Sequence, residues 1–186
     1  YLSSSQVQSL TQDQIGSMSS SFVKNLTTTA FSAFSGKQLG AISSTAVQGL
    51  TTAQAVALTE TKIISLTSSQ LNNLTSTALN AIDTQDIAAL SKAQVAALSS
   101  TQLNSLTSSQ LRAVEAADLQ MLSSTRVSQL SSTNLNLLTT SQLQSFGADA
   151  VGALTLTNFS SDQISKLSAA QVSFLSSTQL NAIGSS

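Results

Sequence analysis

The sequence predicts an all-α solenoid of very short capped helices, one for each eight-residue repeat. Three observations carry this expectation. Apolar residues land every eight positions along nearly the whole chain. Most landings are followed by the start signal of a helix. And eight residues do not close a whole number of helical turns.

From Leu2, steps of eight reach Leu10, Met18, Leu26, Phe34 and Ile42 and continue through Leu98, Leu106 and Leu130 to Leu154, with every landing apolar. The register then shortens by three residues between Leu154 and Phe159 and resumes at Leu167, Leu175 and Ile183. Residues 1–186 therefore read as a single repeat array of 22 regular octads and one shortened unit. A fixed period of this kind is the mark of units that stack on one another. Phe159 stands five residues after Leu154 and five before Ile164, so it is expected to serve two slots at once. A local change of packing is expected at residues 154–160.

With the landing residue as slot zero, slot one is Ser or Thr in 19 of the 22 regular octads; Asp83, Glu115 and Gly147 are the exceptions. Slot four is most often Gln, slot five is apolar, and slot seven is usually small. Ser or Thr followed three residues later by Gln is a capping box. The hydroxyl accepts from a first-turn N–H, and the Gln accepts from the N–H of the cap itself. Ser99 with Gln102 and Thr107 with Gln110 are read as such structural caps. The flanking apolar residues, Leu98 with Leu103 and Leu106 with Leu111, form the accompanying hydrophobic staple.

Consecutive starts cannot lie on one straight helix, because eight residues overshoot two turns by roughly 80°. Each cap begins a new helix over slots two to seven, only about 9 Å long. Such a helix is too short to stand alone in water. It must bury its apolar face against neighbouring units, which is the logic of a solenoid. Small residues at slot seven let successive helices approach closely. A β-solenoid is the competing arrangement. Against it, slots zero and five would point to opposite faces of a continuous strand. The number of helices per coil and the hand of the coil stay open at this level.

Composition narrows the chemistry. The chain has no Cys, His, Pro or Trp. Thiolate nucleophiles, imidazole bases and the usual zinc sites are therefore absent. No catalytic, cofactor or metal residue is assigned, no cofactor is expected, and an enzyme is not expected. Seven basic and eight acidic residues give a formal charge of -1 without a Lys/Arg cluster, so nucleic acid is not expected as a partner. No apolar run approaches a membrane span. Tyr1 opens the chain without a basic leader, which is read as a removed signal or an excised piece.

Other residues have plain readings. Asp83 with Asp86 and Glu115 with Asp118 look like carboxylate pairs, but they occupy slots one and four, where acids suit a helix N-terminus. Asn25-Leu26-Thr27, Asn73-Leu74-Thr75 and Asn158-Phe159-Ser160 match the glycosylation pattern only because Leu or Phe and a Ser/Thr cap follow slot seven. Phe31, Phe34 and Phe146 fall in core slots, whereas Phe22 replaces a slot-four Gln and is expected to be exposed. Slot three varies too much for a uniform ice-matching row, leaving ice binding a remote alternative.

The octads "ALSKAQVA", "ALSSTQLN" and "KLSAAQVS" resemble the Leu-Thr/Ser-x-x-Gln-Val/Ile/Leu repeats of very large bacterial secreted and surface proteins, often labelled adhesins or haem-utilisation proteins. The resemblance covers nearly the whole chain. It implies a bacterial extracellular or cell-surface element: a stalk, spacer or filament subunit. Haem binding is not carried over, since no His or Cys offers an axial ligand. The alternative class is a binding scaffold for a protein or glycan. Neither end of the array shows an atypical capping repeat. Leu2, Val7, Leu180 and Ile183 are therefore expected to lie at assembly ends, with another copy or flanking repeats as partner.

The cap assignment predicts unequal effects at neighbouring hydroxyls. Thr107→Ala should cost about 1 kcal/mol in chemical denaturation, and Ser108→Ala close to nothing. Equal losses would contradict the capping box.

Overall fold

The computed structural model describes residues 2–184, so Tyr1 lies outside the described residues. Those residues form 21 short α-helices and two 3-10 helices, without a strand. The fold is an all-α repeat solenoid. Most helices begin as the octad prescribes, with a slot-one side chain in extended backbone accepting from the slot-four N–H. None of the described helices is long and apolar enough to cross a membrane.

The chain divides into two compact units, Tyr1–Gln94 and Val95–Ser186. The same rule of stacking governs each. In the first unit, helix Ser4–Gln8 packs on Thr28–Ser32 and Gln12–Gly16 on Gly36–Ala41. In the second, Ser108–Ala113 packs on Ser132–Leu137 and Ala116–Leu119 on Thr140–Gln144. Each partner starts 24 residues further on, which is three octads of eight (28 − 4 = 24, 132 − 108 = 24). One coil is therefore three helices, a number that the repeat alone did not provide.

Slots zero and five make the core. Slot-five side chains from Val7 to Val151 are buried almost without exception, with Leu71, Val95, Leu103 and Leu143 at 0 % exposure. In octad after octad the slot-zero N–H donates to the slot-five carbonyl three residues earlier, as from Leu26 to Val23 and from Phe34 to Phe31, at 3.2 Å in both cases. That bond closes each helix and turns the chain toward the next cap. The rings of Phe31 and Phe34 meet edge to face, 6.0 Å between centroids.

At the seam the helix gives way to a 3-10 turn, Leu156–Asn158. Phe159 N–H donates to the Leu156 carbonyl at 3.0 Å. This is the slot-zero to slot-five bond, so Leu156 takes slot five and Phe159 takes slot zero only. The double role read for Phe159 is thereby corrected. Leu154, Leu156 and Phe159 are all buried, so the unit keeps its apolar anchors and drops one helical turn between them.

Slot seven is less uniform than its composition implies. Met121 and Phe174 occupy it with side chains largely in solvent. The close approach is concentrated at Gly49, in the 3-10 helix Ala46–Gly49 that packs on Ser20–Asn25. A Cβ there would fall 1.9 Å from the Ser20 carbonyl oxygen, a backbone atom that cannot swing away. Gly49→Ala should therefore lower stability by about 1–3 kcal/mol. Gly152→Ala, whose Cβ would meet nothing within 4 Å, should be neutral or stabilising by up to about 1 kcal/mol. Thermal unfolding of the two variants checks both; indistinguishable melting would contradict the tight Gly49 approach.

Candidate functional site: the slot-four ladder

A short helix has a severe accounting problem. Its last carbonyls have no intrahelical partner, and a five-residue helix is almost all ends. Buried, each unpaired carbonyl costs on the order of 1–3 kcal/mol. The slot-four side chain solves this across coils. The Oε1 of Gln54 accepts from Thr51 N–H at 2.9 Å, completing the box of its own helix. Its Nε2 donates to two carbonyls of the preceding coil, Val23 at 2.8 Å and Leu26 at 2.9 Å. Those are a slot-five and the following slot-zero carbonyl, where one helix ends and the next cap begins. The side chain is 1 % exposed.

The same rung recurs. Gln70 bonds Leu39 and Ile42, Gln94 bonds Ile63 and Leu66, and Gln142 bonds Leu111 and Val114. In each case the separations are 31 and 28 residues. Beyond the seam they become 28 and 25, as for Gln171 to Leu143 and Phe146. The loss of three (31 − 28 = 28 − 25 = 3) equals the three residues missing from the short unit. The shortened unit thus shortens its coil, while the rungs above it keep their partners.

Three non-glutamine residues at slot four also supply a donor. Lys62 Nζ donates to Ser32 O at 2.6 Å, and Asn134 Nδ2 reaches Leu103 O at 2.9 Å. Arg126 Nη1 donates to Ala96 O and Leu98 O. Burial lowers the Lys62 pKa below the usual lysine range. A second set of bonds runs forward from slot six: Asn104 Nδ2 donates to Gln129 O at 2.8 Å and Arg112 Nε to Leu137 O at 3.0 Å. Asn136 Oδ1 accepts from Ser160 N–H at 2.9 Å. It thereby takes the proton that Gln163 Oε1 would receive in a full box, leaving that buried oxygen without a partner.

Thr107 and Gln110 form a complete box, with both bonds at 3.0 and 3.2 Å. Ser99 accepts from Gln102 N–H and its hydroxyl also donates to Gln102 Oε1. Asp83 caps by accepting from Gln85 N–H, two residues on rather than three, and Glu115 makes no side-chain cap bond. The pairs at slots one and four are thus not full boxes: a slot-four carboxylate has no donor for the preceding coil. Asp86 instead accepts from the Glu60 backbone N–H, and burial first, then Asp83 and Glu60, pushes its pKa up. Among the described residues no cluster of three or more acidic, His or Cys side chains could hold a metal ion. Phe22 is exposed, as are Val56 and Ile64 at slot six. Leu2 and Ile183 are half-buried and Leu180 is exposed. Val7 has no exposed surface at all, so it belongs to the core of the first coil rather than to an end face.

The inter-coil half of the Gln role does not follow from the capping box alone. A signal was present: a capping box accepts Glu as readily as Gln, yet no octad carries Glu at slot four. Glu would cap but could not donate.

Fold and ladder together define the class: a repeat protein whose coils are joined by side-chain amides. Residues 79–116 match the family model of the ALTTAQ repeat, and within them Ala89-Leu90-Ser91-Lys92-Ala93-Gln94 follows that word closely. No curated protein and no solved structure matches the chain.

The ladder predicts that Gln54→Glu keeps its own helix cap but leaves two carbonyls without a donor. It should lower stability by roughly 1–3 kcal/mol per unserved carbonyl at neutral pH, measured by urea unfolding. The loss should shrink in acid, where the protonated carboxyl regains one donor. Asp86→Asn should act in the opposite sense. The raised Asp86 pKa means that folding favours the protonated form: this contribution is full at low pH and is lost as pH rises through the folded-state value. The variant should therefore be more stable than the native chain at neutral pH by about 0.5–1.5 kcal/mol, with the gap closing on acidification. A pH-independent gap would contradict the assignment.

Proposed function

We propose that this chain is a structural element of the bacterial cell exterior, a spacer or filament subunit whose coils add end to end. The observation that supports it most is the complementarity of the terminal coils. In the first coil the slot-five residues Val7, Ile15 and Val23 are fully covered, while slot-zero Leu2, Leu10 and Met18 are only half-buried. In the last coil slot-zero Leu175 and Ile183 are likewise half-buried, but slot five is uncovered as well. Slot-five Val172 and Leu180 are 44 % and 47 % exposed, where their counterparts inside the array are covered. One coil therefore offers what the other lacks. A contact between such unlike faces is heterologous, and it propagates when its rotation does not close. The sparse charge opposes this little. Placement outside the cell rests on the likeness of the octads to repeats of large secreted proteins.

Sedimentation velocity over a range of concentrations, with electron microscopy of the same samples, tests the reading. Concentration-dependent linear oligomers are expected. A chain that stays monomeric throughout overturns it.

A further inference from the structure

We infer that Gln6 and Gln14 are the polar recognition residues of the end-to-end contact, each donating its side-chain amide to a main-chain carbonyl on the last coil of a second copy. This rests on the reading above and specifies its chemistry. Among the described residues, Gln6 and Gln14 accept from the N–H groups of Ser3 and Thr11 through Oε1, like every other box. Their Nε2 groups have no partner among the described residues, and both side chains are exposed.

The matching vacancy lies at the far coil. Inside the array the slot-zero carbonyl is the group that a ladder Gln serves: Gln54 serves Leu26, Gln70 serves Ile42 and Gln142 serves Val114. In the last coil the slot-zero carbonyls of Leu167 and Leu175 accept no hydrogen bond from any described residue. The spacing agrees, since Gln6 and Gln14 are one octad apart and so are Leu167 and Leu175 (14 − 6 = 175 − 167 = 8). The third rung agrees too. The next slot four is Phe22, which has no donor and is 41 % exposed. The surface it would meet carries the apolar Leu180 and the half-buried Ile183. Two amide rungs and one apolar rung thus set a single rotation and a single polarity. The two amide rungs reproduce a junction made repeatedly within the chain.

The test is the double variant Gln6→Glu/Gln14→Glu. Glutamate retains the cap, so circular dichroism and melting temperature should stay close to those of the unmodified chain. The inter-copy donor is lost, and association at neutral pH should weaken by at least about tenfold, corresponding to 1.4 kcal/mol or more. Association should recover as pH falls through the carboxylate range, because the protonated side chain can donate again; a first coil that had simply unfolded would not recover in this way. Gln8→Glu/Gln12→Glu adds the same charge to the same two octads outside slot four and should associate like the unmodified chain. Failure of the unmodified chain to associate overturns the proposed function and this inference together. If the unmodified chain associates and the slot-four pair associates equally well, the amide rungs are wrong while end-to-end assembly stands. Equal weakening by both pairs, or no recovery in acid, also overturns the rungs.

Discussion

Everything in this fold depends on the disposal of backbone polar groups at helix ends. A helix of five or six residues leaves most of its N–H and C=O groups without intrahelical partners. The protein contains 21 α-helices among its described residues, and the longest spans eight residues. At the N-terminal side, the slot-one hydroxyl and the slot-four Oε1 satisfy two N–H groups locally. At the C-terminal side, the slot-four Nε2 of a later coil supplies the missing donor. One side chain therefore closes the start of its own helix and the end of another. A buried polar network is favourable when its members are all satisfied and costly when they are not. This explains the recurrence of Gln at a position where a cap alone would accept Glu.

The same bond accounts for the coil. A Gln side chain is short, so its amide must lie next to the carbonyls it serves. With three octads per coil, slot four stands beside the junction between the octads three and four units earlier. Apolar packing at slots zero and five excludes water from that junction, which raises the cost of any unserved carbonyl. Packing and hydrogen bonding thus select one register together. The seam shows which is the firmer constraint. Three residues are removed, a helix becomes a 3-10 turn, and every later rung still finds its slot-five and slot-zero carbonyls. What is conserved through the disturbance is the pairing of amide and carbonyl, with the length of the coil adjusting to it.

Departures from Gln at slot four sort by whether they can donate. Lys62, Arg126 and Asn134 do, with differing reach. Asp86 cannot, so it turns to the Glu60 N–H and carries a raised pKa among acidic neighbours. Ala30, Ala46 and Ala78 give up the rung and are buried as small apolar residues. At the Ala46 octad, the helix tightens to 3-10 geometry and Gly49 admits the Ser20 backbone. Closer packing there takes the place of a side-chain bridge.

The sequence by itself determined the helical class, the octad unit, the cap residues, the two core slots and the position of the seam. These are local matters, set by hydroxyl-to-N–H reach within four residues and by which residues are apolar. The exposure of Phe22 was legible for the same reason: it stands where a polar cap belongs. Only the tertiary structure decided that three octads make a coil, that Leu156 replaces Phe159 as the slot-five anchor, and that Val7 lies wholly inside. It alone revealed the second role of the slot-four amide, whose partners stand 25 to 31 residues away. An eight-residue period is compatible with any number of octads per coil. The choice rests on how helices about 9 Å long pack around a shared core and on which carbonyls then come within reach of an amide.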